Sequence, residues 1–137
     1  MTTRLPDWED RLGALIAERR DVSFGWGTHD CALWGADIVE ALTGVDHGAP
    51  FRGKYDDAEG AARALRDFGQ GTIVRTFDAV LKRCPLALLQ RGDIAMIGSG
   101  IKGVSVGGVI GGDALFIGDL GLERRAVRDC TRGWKVD

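Results

Sequence analysis

The segment around which the chain is organised runs Phe24-Gly25-Trp26-Gly27-Thr28-His29-Asp30-Cys31-Ala32-Leu33-Trp34. Its first half has the glycines of a loop, and its second half begins an apolar pattern of helical spacing that continues to Leu42. Gly44 suits a left-handed C-terminal cap, and Asp30 or Thr28 suits the N-cap. The pattern therefore predicts a helix from Asp30 to Gly44, with Cys31 in its first turn.

Cys31 carries the most distinctive chemistry in this segment. In the first turn of a helix, the positive end of the helix dipole and the free backbone N–H groups favour a thiolate over a thiol. Because the thiolate is the nucleophilic form of cysteine, this position suits a catalytic nucleophile. Many cysteines are instead small buried apolar residues, and the position of Cys31 is compatible with that role as well.

Length and charge narrow the possible functions. The chain has 137 residues, which predicts a single domain over residues 1–137 that buries a core without disulfides or metals. Its formal net charge of −2, from 18 basic and 20 acidic residues, argues against a nucleic-acid-binding surface. No apolar run approaches the roughly 20 residues of a membrane span. The polar, acidic start is unlike a signal peptide, so we expect a cytosol-like compartment unless a larger assembly carries the protein out.

The cysteines do not predict a disulfide framework or a metal centre. Cys31, Cys84 and Cys130 are far apart and form no CxxC pair, which excludes a zinc site of ordinary spacing. His29 and Cys31 could supply two metal ligands, but no second pair accompanies them. We therefore predict no metal and no cofactor.

The local patterns place helices first and strands second. The predicted helices are one capped by Asp7, the cysteine helix, one begun by an Asp56–Glu59 capping box, and a short one capped by Thr76. The predicted strands cover residues 94–97, 104–110, 114–117, 123–127 and 134–136, and glycine-rich turns separate them. This order predicts an α+β domain whose N-terminal helices pack on one side of a small antiparallel sheet.

Three motifs in the chain resemble those of the NlpC/P60 cysteine hydrolases. They are Trp26-Gly27-x-x-Asp30-Cys31 at a helix start, Arg91-Gly92-Asp93-Ile94 at a strand start, and the glycine-flanked strand pair that follows. The chain is particularly similar to small NlpC/P60-like proteins encoded among the tail genes of bacteriophages and gene transfer agents, which also share its terminal Arg132-Gly133-Trp134-Lys135-Val136 segment. The resemblance implies a papain-like fold with Cys31 at the nucleophile position. It also implies γ-glutamyl or related peptide bonds of the bacterial cell wall as substrates.

The resemblance fails at the catalytic base. The family pattern on the second core strand is close to His-Val-Gly-Ile, and in this chain Ser105 stands at the histidine position. A serine hydroxyl does not accept a proton near neutral pH as an imidazole does. The chain has two histidines. His29, two residues before Cys31, is either a substitute base or a loop histidine that binds a backbone group, and His47 follows the cysteine helix in an irregular loop.

Three hypotheses follow from these observations. The first is a structural or assembly protein of a phage-type tail tip that keeps an NlpC/P60-like fold without its catalysis. Such a protein would assemble in the host cytoplasm, reside in the virion tail and contact other tail-tip proteins. The second is an active cysteine peptidase that hydrolyses peptidoglycan with Cys31 as nucleophile. The third is an interaction domain with no connection to phages.

Several segments are candidates for contact with a partner. The irregular segment His47–Lys54 contains Phe51 and Arg52, which we expect to anchor an interface because aromatic and arginine side chains dominate binding energy. The glycine-rich loops 98–103 and 118–121 are further candidates. Trp26, which lies between two glycines, either lines a groove beside Cys31 or packs under the first helix.

Overall fold

The protein has an α+β architecture in a computed structural model that describes residues 3–98 and 103–137. The helices are α1 (Trp8–Arg19), α2 (Cys31–Thr43), α3 (Ala58–Phe68) and α4 (Ile73–Val80), and two single-turn 3-10 helices span Leu86–Leu88 and Val127–Asp129. The strands are β1 (Lys82–Arg83), β2 (Ile94–Ile97), β3 (Ser105–Val109), β4 (Asp113–Ile117), β5 (Leu122–Ala126) and β6 (Arg132–Lys135). They form one antiparallel sheet in the order β1-β6-β2-β3-β4-β5. The predicted α+β class and the order of helices before strands are confirmed.

Helix α2 packs against both α1 and the sheet and has the ends that the sequence predicts. Asp30 is its N-cap, with Oδ1 accepting a hydrogen bond from the Leu33 N–H at 3.0 Å. Gly44 ends the helix in the left-handed conformation, at a φ of 81°. Cys31 is therefore the first residue of the helix.

The main core lies between α2 and the sheet. Its fully buried members include Trp34, Ile38, Leu42, Val106 and Trp134. The Trp34 indole N–H donates to the Leu115 carbonyl at 3.0 Å, which fixes the helix over β4. A Cβ on Gly108 would lie 2.6 Å from Ile38 Cδ1, so the close approach of α2 to β3 depends on glycine at that position.

A second, smaller core covers the opposite face of the sheet. Its buried residues are Ala95, Val109, Ala114, Phe116, Val127 and Cys130. Leu86, the first residue of the first 3-10 helix, and Leu89, just after its end, pack against this core. The sheet is therefore covered on both faces, by α-helices on one side and by short connecting segments on the other.

A buried carboxylate joins the two ends of the chain to the sheet. Asp93, in the turn before β2, is fully buried and accepts hydrogen bonds from Arg4 at 2.9 Å and Lys135 at 3.3 Å. It also accepts from the backbone N–H groups of Gln90 at 2.8 Å and Val136 at 3.1 Å. These bonds satisfy the carboxylate completely, so the Arg91-Gly92-Asp93 motif has a structural role in this chain.

Two of the three other predicted helix caps are wrong. Asp7 is the N-cap residue of α1, as predicted, but makes no side-chain cap hydrogen bond. The cap of α3 is Asp57, whose Oδ1 accepts from Gly60 N at 2.6 Å, and the cap of α4 is Thr72, which accepts from Arg75 N at 3.1 Å. Where several Asp or Thr residues are close together, packing of the helix decides which one becomes the cap.

The predicted strands differ from the structure mainly at the end of the sheet formed by β1 and β6. Strand β1 has only two exposed residues, and no alternation of apolar residues marked it in the sequence. Strand β6 begins at Arg132, two residues before the predicted start, because its pairing with β2 extends from Trp134 back to Arg132. Most of the predicted loop 98–103 lies outside the described residues.

Candidate functional site

The Cys31 thiol lies at the N-terminus of α2, against the main core. Burial and, after it, the negative charge of Asp30 raise the pKa of the thiol to about 11. The backbone N–H groups of Ala32, Val106 and Cys31 itself act in the opposite direction but do not compensate. The thiol is therefore protonated at neutral pH, and the expectation of a thiolate at this helix terminus is wrong because desolvation outweighs the helix dipole.

Asp30 is occupied by three hydrogen bonds. While its Oδ1 caps α2, its Oδ2 accepts from the Gly27 N–H at 2.9 Å and from the Tyr55 hydroxyl at 2.5 Å. Burial and this hydrogen bond raise the pKa of Tyr55, which stays a donor. Asp30 thus joins the loop before α2, the helix itself and the segment before α3, and Tyr55 is a site residue that sequence reasoning missed.

His29 is held away from a role as base. Its Nδ1 lies 3.1 Å from an Arg19 guanidinium nitrogen, and its ring packs edge-on against Trp34 at 5.7 Å between centroids. Because a guanidinium only donates, Nδ1 is the acceptor and Nε2 carries the proton. Burial and then Arg19 lower the pKa of His29. Among the described residues, neither His29 nor His47 is hydrogen-bonded to the Cys31 sulfur.

The buried carboxylate of Asp37 on α2 is paired with two arginines. Arg19 of α1 lies 2.7 Å from its Oδ2, and Arg52 lies 2.6 Å from its Oδ1. Arg52 also pairs with Asp46 at 2.9 Å, and these hydrogen bonds raise the pKa of its guanidinium. The charge of Arg52 ties segment 46–52 to α2, and the expectation that Arg52 anchors a partner stays a prediction.

The position of Ser105 also differs from the expectation. Ser105 is paired with Ile97, which packs in the second core, so its side chain lies on the sheet face turned away from α2. Its neighbour Val106 faces α2, where Val106 Cγ1 would be 2.9 Å from a Cβ on Gly35. Gly35 is one turn after Cys31, on the same side of the helix. The residue of β3 that faces the start of the cysteine helix is therefore Val106, which has no acid–base chemistry.

An apolar pocket opens beside Cys31, on the side of α2 that does not face the sheet. It holds about 80 Å³ of space open to the centre of a water-sized molecule, and it lies between α2, α3, α4 and the segment from His47 to Tyr55. Cys31, Trp26, His47 and Phe51 all line it, so the structure brings together these predicted residues. Ser105 and His29 are not among its lining residues. Two site residues that the predictions missed, Tyr55 and Asp37, were distinctive in the sequence. Tyr55 is the single tyrosine of the chain, and Asp37 is a charged residue in the middle of a mostly apolar helix.

The described residues contain neither a cluster of metal ligands nor a helix able to cross a membrane. Within residues 3–98 and 103–137, no group of three or more His, Cys, Asp or Glu side chains is arranged to hold a metal ion. In the same part of the chain, no helix combines the length and the apolar character that crossing a bilayer requires.

The fold and the site define the chain as an α+β domain with a cysteine at the start of its central helix, next to an apolar pocket. The chain belongs to the family described as "Domain of unknown function (DUF6950)", whose family model matches residues 3–136. The comparison with curated proteins gave no match. The matched region includes α2, the whole sheet and the pocket, so all the features described above lie within the family domain.

Proposed function

We propose that this chain is an assembly subunit of a phage-type tail tip, with a papain-like NlpC/P60-type domain that has lost its hydrolytic activity. The observation that carries the loss of activity is the state of Cys31. Its thiol has a pKa of about 11, and no imidazole among the described residues is hydrogen-bonded to it. Nucleophilic catalysis by cysteine needs a thiolate or an adjacent base, and Val106 occupies the strand position that faces the helix.

The proposed role in a tail tip rests on two arguments. One is the sequence resemblance, and the other is that a domain without catalysis is left with a binding or structural role. The motifs around Cys31 and before β2 are similar to those of tail-gene products, and Asp30 and Asp93 serve structural hydrogen bonds. A domain that keeps the cysteine helix but uses its polar residues for structural hydrogen bonds is best suited to binding other proteins. Its partners are then other tail-tip proteins, and its location is the virion tail.

Two assays test this function. Purified protein is incubated with cell-wall peptides alongside a Cys31→Ala variant, and we expect no cleavage by either, because general-base catalysis supplies typically about 10²–10⁴-fold. Incorporation is tested by purifying particles that carry a tagged copy. Phe51→Ala is the better interface probe, because changing Arg52 also breaks its ion pairs with Asp37 and Asp46. Protein found free of particles would contradict the assembly role.

A second candidate is an active peptidase that uses a different base. The observation in its favour is that His47 lines the same pocket as Cys31, with backbone N–H groups of Ala32 and Val106 beside the sulfur. Movement of segment 46–52 would be needed to bring the imidazole to the thiol. Cleavage of cell-wall peptides that disappears in both Cys31→Ala and His47→Gln would favour this candidate over the first.

A further inference from the structure

Of the eight large apolar side chains that are exposed in the described part of the chain, four lie in or next to the wall of the pocket beside Cys31. Trp26 and Val80 line it and are 40% and 44% exposed. Phe24 stacks edge-on against Trp26 at 4.8 Å, and Phe68 against the lining residue Phe51 at 6.1 Å. Apolar clusters of this kind, unlike single exposed leucines, mark binding surfaces.

The pocket offers few polar groups to a small polar ligand. Both oxygens of Asp30 and the hydroxyl of Tyr55 are bonded to each other or to the backbone. Thr76 Oγ1 is bonded within its own segment, to Thr72 O and Gln70 N. Of the lining residues with a polar side-chain atom, Trp26, Cys31 and His47 have no such bond in the described part of the chain. Metabolite sites usually contain several placed polar groups, so the group that enters this pocket is apolar.

The shape of the pocket favours an extended peptide. The lining residues of α2 run from Cys31 to Val39, which is roughly 12 Å of helix at 1.5 Å per residue. In an extended chain, side chains at positions i and i+2 point the same way and lie about 6.6 Å apart. Two such apolar side chains fit along this length, whereas a helix about 10 Å in diameter would not enter a pocket enclosed by three helices.

The charge at one end of the pocket indicates which kind of residue lies next to the two apolar side chains in the bound peptide. The first turn of α3 packs on Tyr55, because a Cβ on Gly60 would lie 2.8 Å from Tyr55 Cβ. Around it, three exposed acidic residues, Asp56, Asp57 and Glu59, outnumber the exposed basic residues Lys54 and Arg63. Asp57 caps α3, and Asp56 and Glu59 form no ion pair within the described residues. A lysine or arginine in the ligand complements this end.

We propose that this pocket binds an extended segment of another protein, with two large apolar residues at positions i and i+2 and a lysine or arginine beside them. The inference rests on the proposed function only for the identity of the partner as a tail protein. It does not need Cys31 to react, and it assigns the contact surface to the pocket rather than to the Arg52 side chain.

The test uses a random heptapeptide library displayed on phage and selected on the purified protein. We expect the enriched peptides to share an apolar-x-apolar pattern with an adjacent Lys or Arg. Binding should be at least about tenfold weaker to Ala61→Phe, which fills the pocket from α3. The matched control, Ala17→Phe on an exposed position of α1, should bind like the unmodified protein, and circular dichroism checks that both variants fold.

A second variant tests the charge. Asp56→Lys combined with Glu59→Lys changes only exposed side chains. We expect this variant to bind the basic peptides more weakly, and we expect the remaining binding to no longer depend on the salt concentration. No enriched peptide that depends on the pocket, or an enriched acidic pattern, would overturn the proposal. So would pocket-dependent binding of octanoate alone, which indicates a small-molecule site, or self-association lost in Ala61→Phe, which indicates a second copy as occupant. Because no particles are used, failure here is separate from failure of the tail-tip role.

Discussion

The two sides of helix α2 are both apolar but differ in packing. On the sheet side, Trp34, Ile38 and Leu42 are fully buried against β-strands, with glycines where the backbones approach. On the other side, Leu33, Ala36 and Val39 are also buried, yet they line a pocket whose mouth carries exposed aromatic rings. The first side is packed to fix the fold, and the second leaves space for a ligand.

Matched leucine substitutions should separate the two sides most clearly. Leu42→Ala opens a closed cavity in the main core, and we expect the free energy of unfolding to fall by about 4–5 kcal/mol. Leu33→Ala removes the same atoms next to an existing pocket, and we expect a loss of only about 2–3 kcal/mol. Urea denaturation of both variants measures the difference. Equal losses would mean that the pocket side is as closely packed as the core.

Cys31 lies where the two sides meet, and its reactivity reports which environment dominates. In a background with Cys84→Ser and Cys130→Ser, the rate of alkylation by iodoacetamide should still be rising at pH 10, with a midpoint near the pKa of about 11. Asp30→Asn should lower that midpoint, because it removes the nearby negative charge while an amide oxygen can still cap the helix. A midpoint at or below the ordinary value of 9.0 in the parent protein would show that the thiol is not desolvated as described.

His29 provides a pH test of the sheet side of the site. Its pKa is lowered from 6.5 by burial and by Arg19, so the folded state favours the neutral ring. Its contribution to stability is therefore complete above pH 6.5 and is lost as the pH falls below that value. Between pH 6.5 and 5, a His29→Gln variant should lose less stability than the unmodified protein, with carboxylates titrating in both. Parallel pH curves would contradict this prediction.

The smallest effect is expected at the mouth of the pocket. Trp26→Ala removes a ring that is 40% exposed. We expect the free energy of unfolding to fall by no more than about 1 kcal/mol. The matched substitution at the fully buried Trp134 should cost about 3–5 kcal/mol. Thermal or urea unfolding of the pair gives the comparison. A large loss at Trp26 would indicate that the ring supports the fold rather than a binding surface.

Sequence reasoning predicted the cysteine helix with both of its ends, because each depends on local chemistry. An aspartate can cap the next turn and a glycine can adopt positive φ wherever they occur. The same reasoning failed at Ser105 by one residue. In a strand, a shift of one position moves a side chain to the opposite face, and the pairing of β3 with β2 sets the register.

By itself, the sequence determined the α+β class, the placement of Cys31 at a helix N-terminus and the left-handed end of that helix at Gly44. These follow from periodicity, capping and backbone freedom, which act over a few residues. Only the tertiary structure decided that the Cys31 thiol is protonated, that Arg52 is paired with Asp37 and that Val106 faces the helix. Those properties depend on burial and on contacts between residues distant in the chain, and no local pattern encodes them.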